Sequence, residues 1–381
     1  MVSRVRIVVA PDKFKGCLTA PQVCDAIAAG IRSVRPDAEI DLCPVADGGE
    51  GTVAALVTAT GGRFVARQVV GPLPEMKVNA TFGILGTENT AVIEMSAACG
   101  LALVKPDERD PDATTTFGAG ELLIDAAHVG VSTIILGIGG SATIDAGVGC
   151  AQACGLPIIL RDGAPGAPVS PTEPLCGRDV EDVALVKHGR GSPVEKVRII
   201  VACDVTNPLF GPSGAAAVFG PQKGATPEQV KLIDGRLRDL ATRLGKLKEA
   251  NAPGAGAAGG LGFGMLAFFG AALRPGVDIV LDAVRLRDRL TGADLCITGE
   301  GRLDAQSFAG KAPVGVARLC RESAVRCVAI VGSAGNVAAS AMREGIEQIH
   351  PIHDGSLSVE ESMRRAPELI ARAAAHALSG R

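Results

Sequence analysis

The two ends of the chain repeat one pattern: a short apolar run, a turn rich in glycine and charge, then an amphipathic stretch. Arg6 to Ala10 (RIVVA) reads as a strand. Strands buried on both faces of a parallel sheet are near-continuous apolar runs, and each needs a crossover helix to return the chain. Thr19 with Gln22 forms a capping box, and Val23, Ile27 and Ile31 give the next helix one apolar face. Ile40 to Val45 is the second strand, and Gly48, Gly49 and Gly51 break the chain before another helix. The rhythm returns after Leu286 with strands at Asp294 to Thr298, Arg326 to Val331 and Ile346 to Ile352. Two strands plus three predict one five-stranded doubly wound sheet, split by a long insertion.

The insertion has another period. From Arg63, the runs RFVARQVV, KVNATFGI and TAVIEM alternate apolar and polar residues between turn signals, which predicts an antiparallel meander. A helix over 115–129, a strand from Ser132 to Gly137 and a strand from Arg198 to Ala202 follow, with Arg161 to Ser192 read as loop. Thr226-Pro227-Glu228-Gln229 starts a helix that Val230, Ile233, Leu237, Leu240, Leu244 and Leu247 continue. The expected architecture is a discontinuous flavodoxin-like α/β domain, residues 1–61 plus 288–381, carrying an inserted mixed α+β domain, residues 62–287.

Composition narrows the function. A chain of 381 residues, 47% hydrophobic and 21% charged, has material for two cores and is not disordered. A net charge of −3 lacks the basic footprint of a nucleic-acid binder, and the absence of Trp and Tyr removes stacking platforms for bases. Met1-Val2-Ser3-Arg4 runs straight into a strand, so no signal peptide is expected, and no apolar run spans a membrane. Eleven irregularly spaced cysteines predict reduced thiols in a cytoplasmic protein. Nothing decides between monomer and homodimer.

Doubly wound sheets bind ligands beyond the carboxyl ends of their strands. There this chain places Asp12-Lys13-Phe14-Lys15-Gly16, Asp47-Gly48-Gly49-Glu50-Gly51 and Gly299-Glu300-Gly301-Arg302-Leu303-Asp304. The insertion adds Gly137-Ile138-Gly139-Gly140-Ser141-Ala142-Thr143, read as a phosphate cradle at a helix start, Asp204 at a strand end, and Lys223 in a glycine turn. Gly254-x-Gly256-x-x-Gly259 follows a helix, not a strand, which argues against a dinucleotide site; no P-loop or nucleophile elbow occurs. His350 with His353, and Cys150 with Cys154, lack a second pair for zinc. Carboxylates, lysines, an arginine and glycine turns together suit phosphoryl transfer, which needs positioning and charge neutralisation.

At this level the chain resembles a known family. APDKFKG (Ala10 to Gly16), PVADGGEGT (Pro44 to Thr52), IEMSAACGLALV (Ile93 to Val104), TTTFGAGEL (Thr114 to Leu122), GIGGSATIDAG (Gly137 to Gly147), the block from Cys203 to Ala225, GAGAAGGLG (Gly254 to Gly262) and ITGEGRLDAQSFAGKAPVGVA (Ile297 to Ala317) are similar to the signature blocks of the type I bacterial glycerate kinases. The resemblance implies an ATP- and Mg²⁺-dependent kinase of D-glycerate yielding 2-phosphoglycerate. It also implies an inserted domain shaped like restriction enzymes and a cleft active site. Ile144 and Ala146 stand where the family most often has Asn and Gly, Cys17 and Cys99 where it has Ser, and Lys13 where Ser is common.

Onto these positions the expected roles fall as follows. Lys15 and Arg302 hold the glycerate carboxylate or the moving phosphoryl group, and Asp47 takes the proton of the 2-hydroxyl. Asp204, Glu300 and Asp304 hold Mg²⁺, Asp204 thereby also counting as catalytic. Gly139, Gly140, Ser141, Thr143, Asp145 and Lys223 bind ATP, while Asp12, Lys13, Glu50, Gly299 and Glu300 contact substrate. A kinase of another small hydroxy acid, a 3-phosphoglycerate-forming enzyme, a non-catalytic hydroxy-acid sensor and a dinucleotide-dependent oxidoreductase are the alternatives.

Overall fold

The computed structural model describes residues 4–161, 173–187, 191–353 and 355–379. The expectation for Met1 to Ser3 lies outside them. The strands are β1 (Arg6–Pro11), β2 (Glu39–Leu42), β3 (Arg63–Val70), β4 (Lys77–Ile84), β5 (Thr90–Glu94), β6 (Thr133–Gly137), β7 (Ile158–Leu160), β8 (Val183–Val186), β9 (Arg198–Ala202), β10 (Ala272–Arg274), β11 (Leu295–Leu303), β12 (Arg326–Ala334) and β13 (Gln348–Pro351). The chain forms two compact units. Unit 1 comprises residues 1–47, 54–62 and 276–381; unit 2 comprises 48–53 and 63–275.

Unit 1 is built on a five-stranded sheet in the order β2-β1-β11-β12-β13, and every neighbouring pair is parallel. Counted along the unit, this is the 2-1-3-4-5 order, whose reversal between β1 and β11 marks the ligand-binding edge of doubly wound sheets. Ile7, Val9, Ile297, Val328 and Ile330 pack against Val23, Ile27 and Ile31 of the helix Ala20–Val34 and against Leu369 and Ile370 of the C-terminal helix. The first helix starts where its sequence says: Thr19 and Gln22 satisfy each other's end groups. The two helices touch so closely that a Cβ on Gly30 would sit 2.0 Å from the Ala371 carbonyl oxygen.

Unit 2 contains a six-stranded sheet ordered β3-β4-β5-β6-β9-β10. β3, β4 and β5 form the antiparallel meander, and the rest is parallel. Phe82, Ile93, Met95, Leu122, Leu123 and Ile134 are fully buried in its core.

Four local expectations need correction. The stretch from Arg161 to Ser192 is not all loop: β8 pairs antiparallel with β7, while residues 162–172 and 188–190 lie outside the described set. The helix begun at Pro227 ends at Arg243, because Gly245 turns into the left-handed region at φ 65°, and Leu247 opens a separate turn with its side chain 45% exposed. β11 does not stop at Thr298 but runs to Leu303, with Gly299 paired to Ile330 of β12 and Gly301 carried within the strand. The return to unit 1 falls at Gly276, before the expected 288, since the helix Gly276–Ala283 packs through Val277 and Leu281 on Gly315 of the helix Ala312–Glu322.

Candidate active site

The charged residues of unit 1 converge on a cavity of about 350 Å³ at the carboxyl ends of its parallel strands. β1 ends at Pro11, register partner of Gly299 on β11. The Asp12 N–H then donates to the Gly299 carbonyl at 2.8 Å, and Phe14 and Leu18 exchange backbone bonds across a tight loop that carries Lys15. Gly301 lies close opposite: a Cβ there would sit 3.3 Å from the Lys15 backbone nitrogen, a tight contact. From this frame Asp12, Lys13, Lys15, Asp47, Glu300 and Arg302 all line the cavity.

Asp12 is only 6% exposed. Burial first, then the charges of Asp47 and Glu300, push its carboxyl up to about 7, although one oxygen accepts the Lys13 N–H at 2.6 Å. Glu300 is equally buried, at 6%. Burial raises its pKa, while the Ser307 hydroxyl and the Lys311 charge oppose the shift. Its Oε2 lies 4.0 Å from Lys311 Nζ, and its Oε1 is buried without a hydrogen-bond partner. A buried acceptor left open in a cavity is a group that a ligand completes.

Lys311 was not foreseen as a site residue. It stands immediately before the helix Ala312–Glu322 with Pro313 in the first turn, and a lysine just before a Pro-marked helix start was the available signal. Ser333, His353 and Ser362 also line the cavity. The sequence marks His353 only through its pairing with His350 in HPIH.

Unit 2 arranges its predicted residues differently. Gly139 and Gly140 are exposed on the turn after β6, but the next helix, Val148–Ala153, begins five residues beyond Thr143. The turn is therefore not a helix start. Ser141 is 6% exposed, and Thr143 is fully buried with its hydroxyl unpartnered. Lys223 is 2% exposed and donates to the Ser141 hydroxyl and the Thr143 carbonyl, both at 2.7 Å. Burial pushes its pKa down to about 7, with the Asp145 charge opposing.

Asp145, expected at the nucleotide, is fully buried. Its carboxylate accepts the Thr116 N–H at 2.8 Å and hydroxyl at 2.7 Å, the Gly147 N–H at 3.0 Å and the Gly149 N–H at 3.3 Å. It builds the loop and is closed to ligands. Ile144 is a core residue, so the apolar replacement fits its place, whereas Ala146 holds φ 55° where glycine costs nothing.

The expected metal trio is drawn from both units. Glu300 and Asp304 belong to unit 1 and Asp204, exposed after β9, to unit 2. Asp304 pairs with Arg302 at 3.2 Å. Among the described residues no three His, Cys, Asp or Glu side chains form a metal-holding group. Gly299 is buried with its Cβ position 2.1 Å from the Ile330 carbonyl oxygen, so its role is close strand packing. Glu50 is exposed in unit 2. No described helix is long and apolar enough to cross a membrane.

Comparison with known proteins agrees with this chemistry. The profile of the glycerate kinase family matches residues 7–379. A glycerate kinase of Halalkalibacterium halodurans is 43% identical over 97% of this chain and 96% of its own. The glycerate 2-kinase of Escherichia coli K12 is 41% identical over the same shares. A crystal structure from Salmonella typhimurium LT2, described as a glycerate kinase 2, superposes with TM-score 0.86 at 41% identity, covering 99% of this chain and 98% of that one. A match running nearly end to end, on a chain whose strand ends gather phosphoryl-transfer residues, has one meaning: the chain belongs to the glycerate kinase family.

Proposed function

We propose that the chain transfers the γ-phosphoryl group of ATP to the 2-hydroxyl of D-glycerate, giving 2-phospho-D-glycerate and ADP. The observation that carries this reading is the unit 1 cavity, which brings Lys15, Asp47, Glu300, Arg302 and Lys311 to one strand edge of a glycerate kinase family member. The relative from Escherichia coli K12 is a glycerate 2-kinase, which favours the 2-hydroxyl over the 3-hydroxyl.

Asp47 accepts the proton as the 2-hydroxyl oxygen bonds to the γ-phosphorus and the bridging oxygen leaves with ADP. Lys15 and Arg302 hold the substrate carboxylate or the moving phosphoryl oxygens, and Lys13 and Lys311 add positive charge at the same wall. The exposed Gly139-Gly140 turn offers backbone to phosphate, with Ser141 fixed behind it by Lys223. Within unit 1, Asp12 and Glu300 would hold Mg²⁺, because magnesium usually takes one or two carboxylates beside phosphates and water, and Glu300 Oε1 stands open. The ion supplies neutralisation of phosphate charge.

Two finer assignments accompany this one. The 2-1-3-4-5 parallel order supports a flavodoxin-like unit 1, with unit 2 as its inserted α+β domain. A cytoplasmic enzyme suits thiols that are all free.

The test is ³¹P NMR of the purified protein with ATP, Mg²⁺ and D-glycerate, with L-glycerate and glycolate in parallel. A 2-phosphoglycerate resonance growing with ADP is expected. A 3-phosphoglycerate resonance would move the attack to the other hydroxyl, and no product with any acid would remove the kinase reading in favour of a sensor.

A further inference from the structure

The unit 1 cavity is divided by chemistry. The charged lining comes from the ends of β1 and β11, the loop after β2 and Lys311, whereas a second part of the lining is made by Ile352, Val359, Met363 and Ala366, together with His353 and Ser362. A three-carbon hydroxy acid has almost no apolar surface to bury, and a cavity near 350 Å³ lies in the range that holds larger ligands. The apolar wall is therefore unexplained by the acid.

Its most exposed members form a pair. Val359 and Met363 stand four residues apart on the helix Val359–Arg364, so they share a face. They remain 62% and 40% exposed, among the few large apolar side chains left open to solvent. Beside them His353 Nδ1 lies 3.1 Å from the Ser362 hydroxyl, a pair that presents donor and acceptor capacity within an apolar setting. The wall is also tied to the charged end: the Cys17 thiol donates to the Met363 carbonyl at 3.2 Å, and a Cβ on Gly16 would lie 3.7 Å from the Met363 methyl. The loop that carries Lys15 and the helix that carries Met363 are thus in contact.

We propose that this wall is the seat of the purine base of the nucleoside triphosphate, held between the Val359–Met363 face and the His353–Ser362 edge. Charge complementarity selects this occupant, since a nucleotide joins a flat, weakly polar ring to a polyanion that travels with a divalent cation, and the cavity joins apolar residues to four cations, Lys13, Lys15, Arg302 and Lys311, and three carboxylates, Asp12, Asp47 and Glu300. With no Trp or Tyr in the chain, aliphatic and thioether surface does what an aromatic platform does elsewhere, and a methionine sulfur is a favourable neighbour for a π-system. The proposal rests on the reading of the chain as an ATP-dependent kinase and names the base site within it.

Calorimetric titration of the full chain with ADP, with pyrophosphate as the base-free probe and with D-glycerate, tests it. Met363→Glu and Val359→Glu change exposed positions, and a thermal melt checks that each is folded. The expected result is an ADP dissociation constant raised tenfold or more, with pyrophosphate and D-glycerate affinities within twofold of the parent, and with Met363→Leu restoring ADP binding. If one variant fails to fold, the other gives the answer. Unchanged ADP affinity in folded variants of an enzyme that makes phosphoglycerate overturns the base seat alone. An equal loss of D-glycerate binding assigns the wall to the acid and overturns it too. A parent protein that binds no ADP and forms no product overturns the kinase reading together with the seat.

Discussion

Two polar clusters of this protein look alike in sequence and behave oppositely in structure. Around Asp12, Asp47 and Glu300 in unit 1, like charges share a cavity, Asp12 is pushed up to about 7, and one buried carboxylate oxygen has no partner. Around Asp145 and Lys223 in unit 2, burial is complete or nearly so, and the carboxylate accepts from Thr116, Gly147 and Gly149 while the ammonium donates to Ser141 and Thr143. In the first cluster an ionisable group keeps an open acceptor, whereas in the second the carboxylate and the ammonium are both bonded and only a neutral hydroxyl, that of Thr143, is without a partner. Both lie beside glycines in family blocks, so the residue types alone do not separate a working group from a scaffold. Satisfaction of hydrogen bonds does.

The largest expected effect lies in the first cluster. Asp47→Asn removes the proton acceptor and is expected to lower kcat about 10²–10⁴-fold while leaving the thermal midpoint near that of the parent; a coupled ADP assay and a melting curve read the two. If the rate falls less than tenfold, Asp47 is not the base. Asp145→Ala inverts that outcome. It leaves the Thr116, Gly147 and Gly149 N–H groups buried without their acceptor, and a loss of about 3–5 kcal/mol in urea unfolding is expected. A stable Asp145→Ala protein that has lost only nucleotide binding would show the two clusters to be of one kind.

Acidity sharpens the same contrast. Lys223 is pushed down to about 7 in the folded chain, whereas an unfolded lysine holds its proton to about pH 10.4. Between those values the unfolded state binds more protons, so folding stability rises with pH as the cost of burying the charge is relieved. Below about pH 7 that cost is present in full. Subtracting the unfolding curves of Lys223→Met from those of the parent isolates this rise, expected to be on the order of a few kcal/mol, and a flat difference would mean that the lysine is not desolvated. The smallest effect concerns Ala146→Gly, which removes a left-handed alanine at φ 55° and is expected to stabilise unit 2 by about 1 kcal/mol. Destabilisation instead would show that the Ala146 methyl group, buried in the unit 2 core, contributes more than the strain costs.

Much of the fold was legible because its signals are local. The capping boxes at Thr19 and Thr226 start the helices they announce, and the alternation from Arg63 forms the meander. The misread region was β11. Gly299 and Gly301 look like turn residues, yet they keep the strand going because Cβ atoms there would run into Ile330 and into the loop at Phe14 and Lys15. Close approach and turning demand the same residue, and only the neighbouring strand tells them apart. The site was legible at Asp12, Lys15, Asp47, Glu300 and Arg302, which all line the cavity. It was not legible at Lys223, whose burial depends on Ser141 and Thr143 some eighty residues away, nor at the apolar wall, whose residues carry no chemical signature in a sequence.

The division of unit 1 between the two ends of the chain has a consequence for biosynthesis. β1 pairs with β2 soon after it is made, but its other edge finds a partner only in β11, with Ile7 beside Leu295, so that edge emerges long before its partner exists. At roughly 5–20 residues per second the intervening segment takes about 15–60 s to be made. During that time the continuous part of unit 2, residues 63–275, is completed and free to collapse around its own core. The β11-facing edge of the RIVVA strand meanwhile stays open, a window in which a chaperone or a neighbouring nascent chain competes with β11 for it.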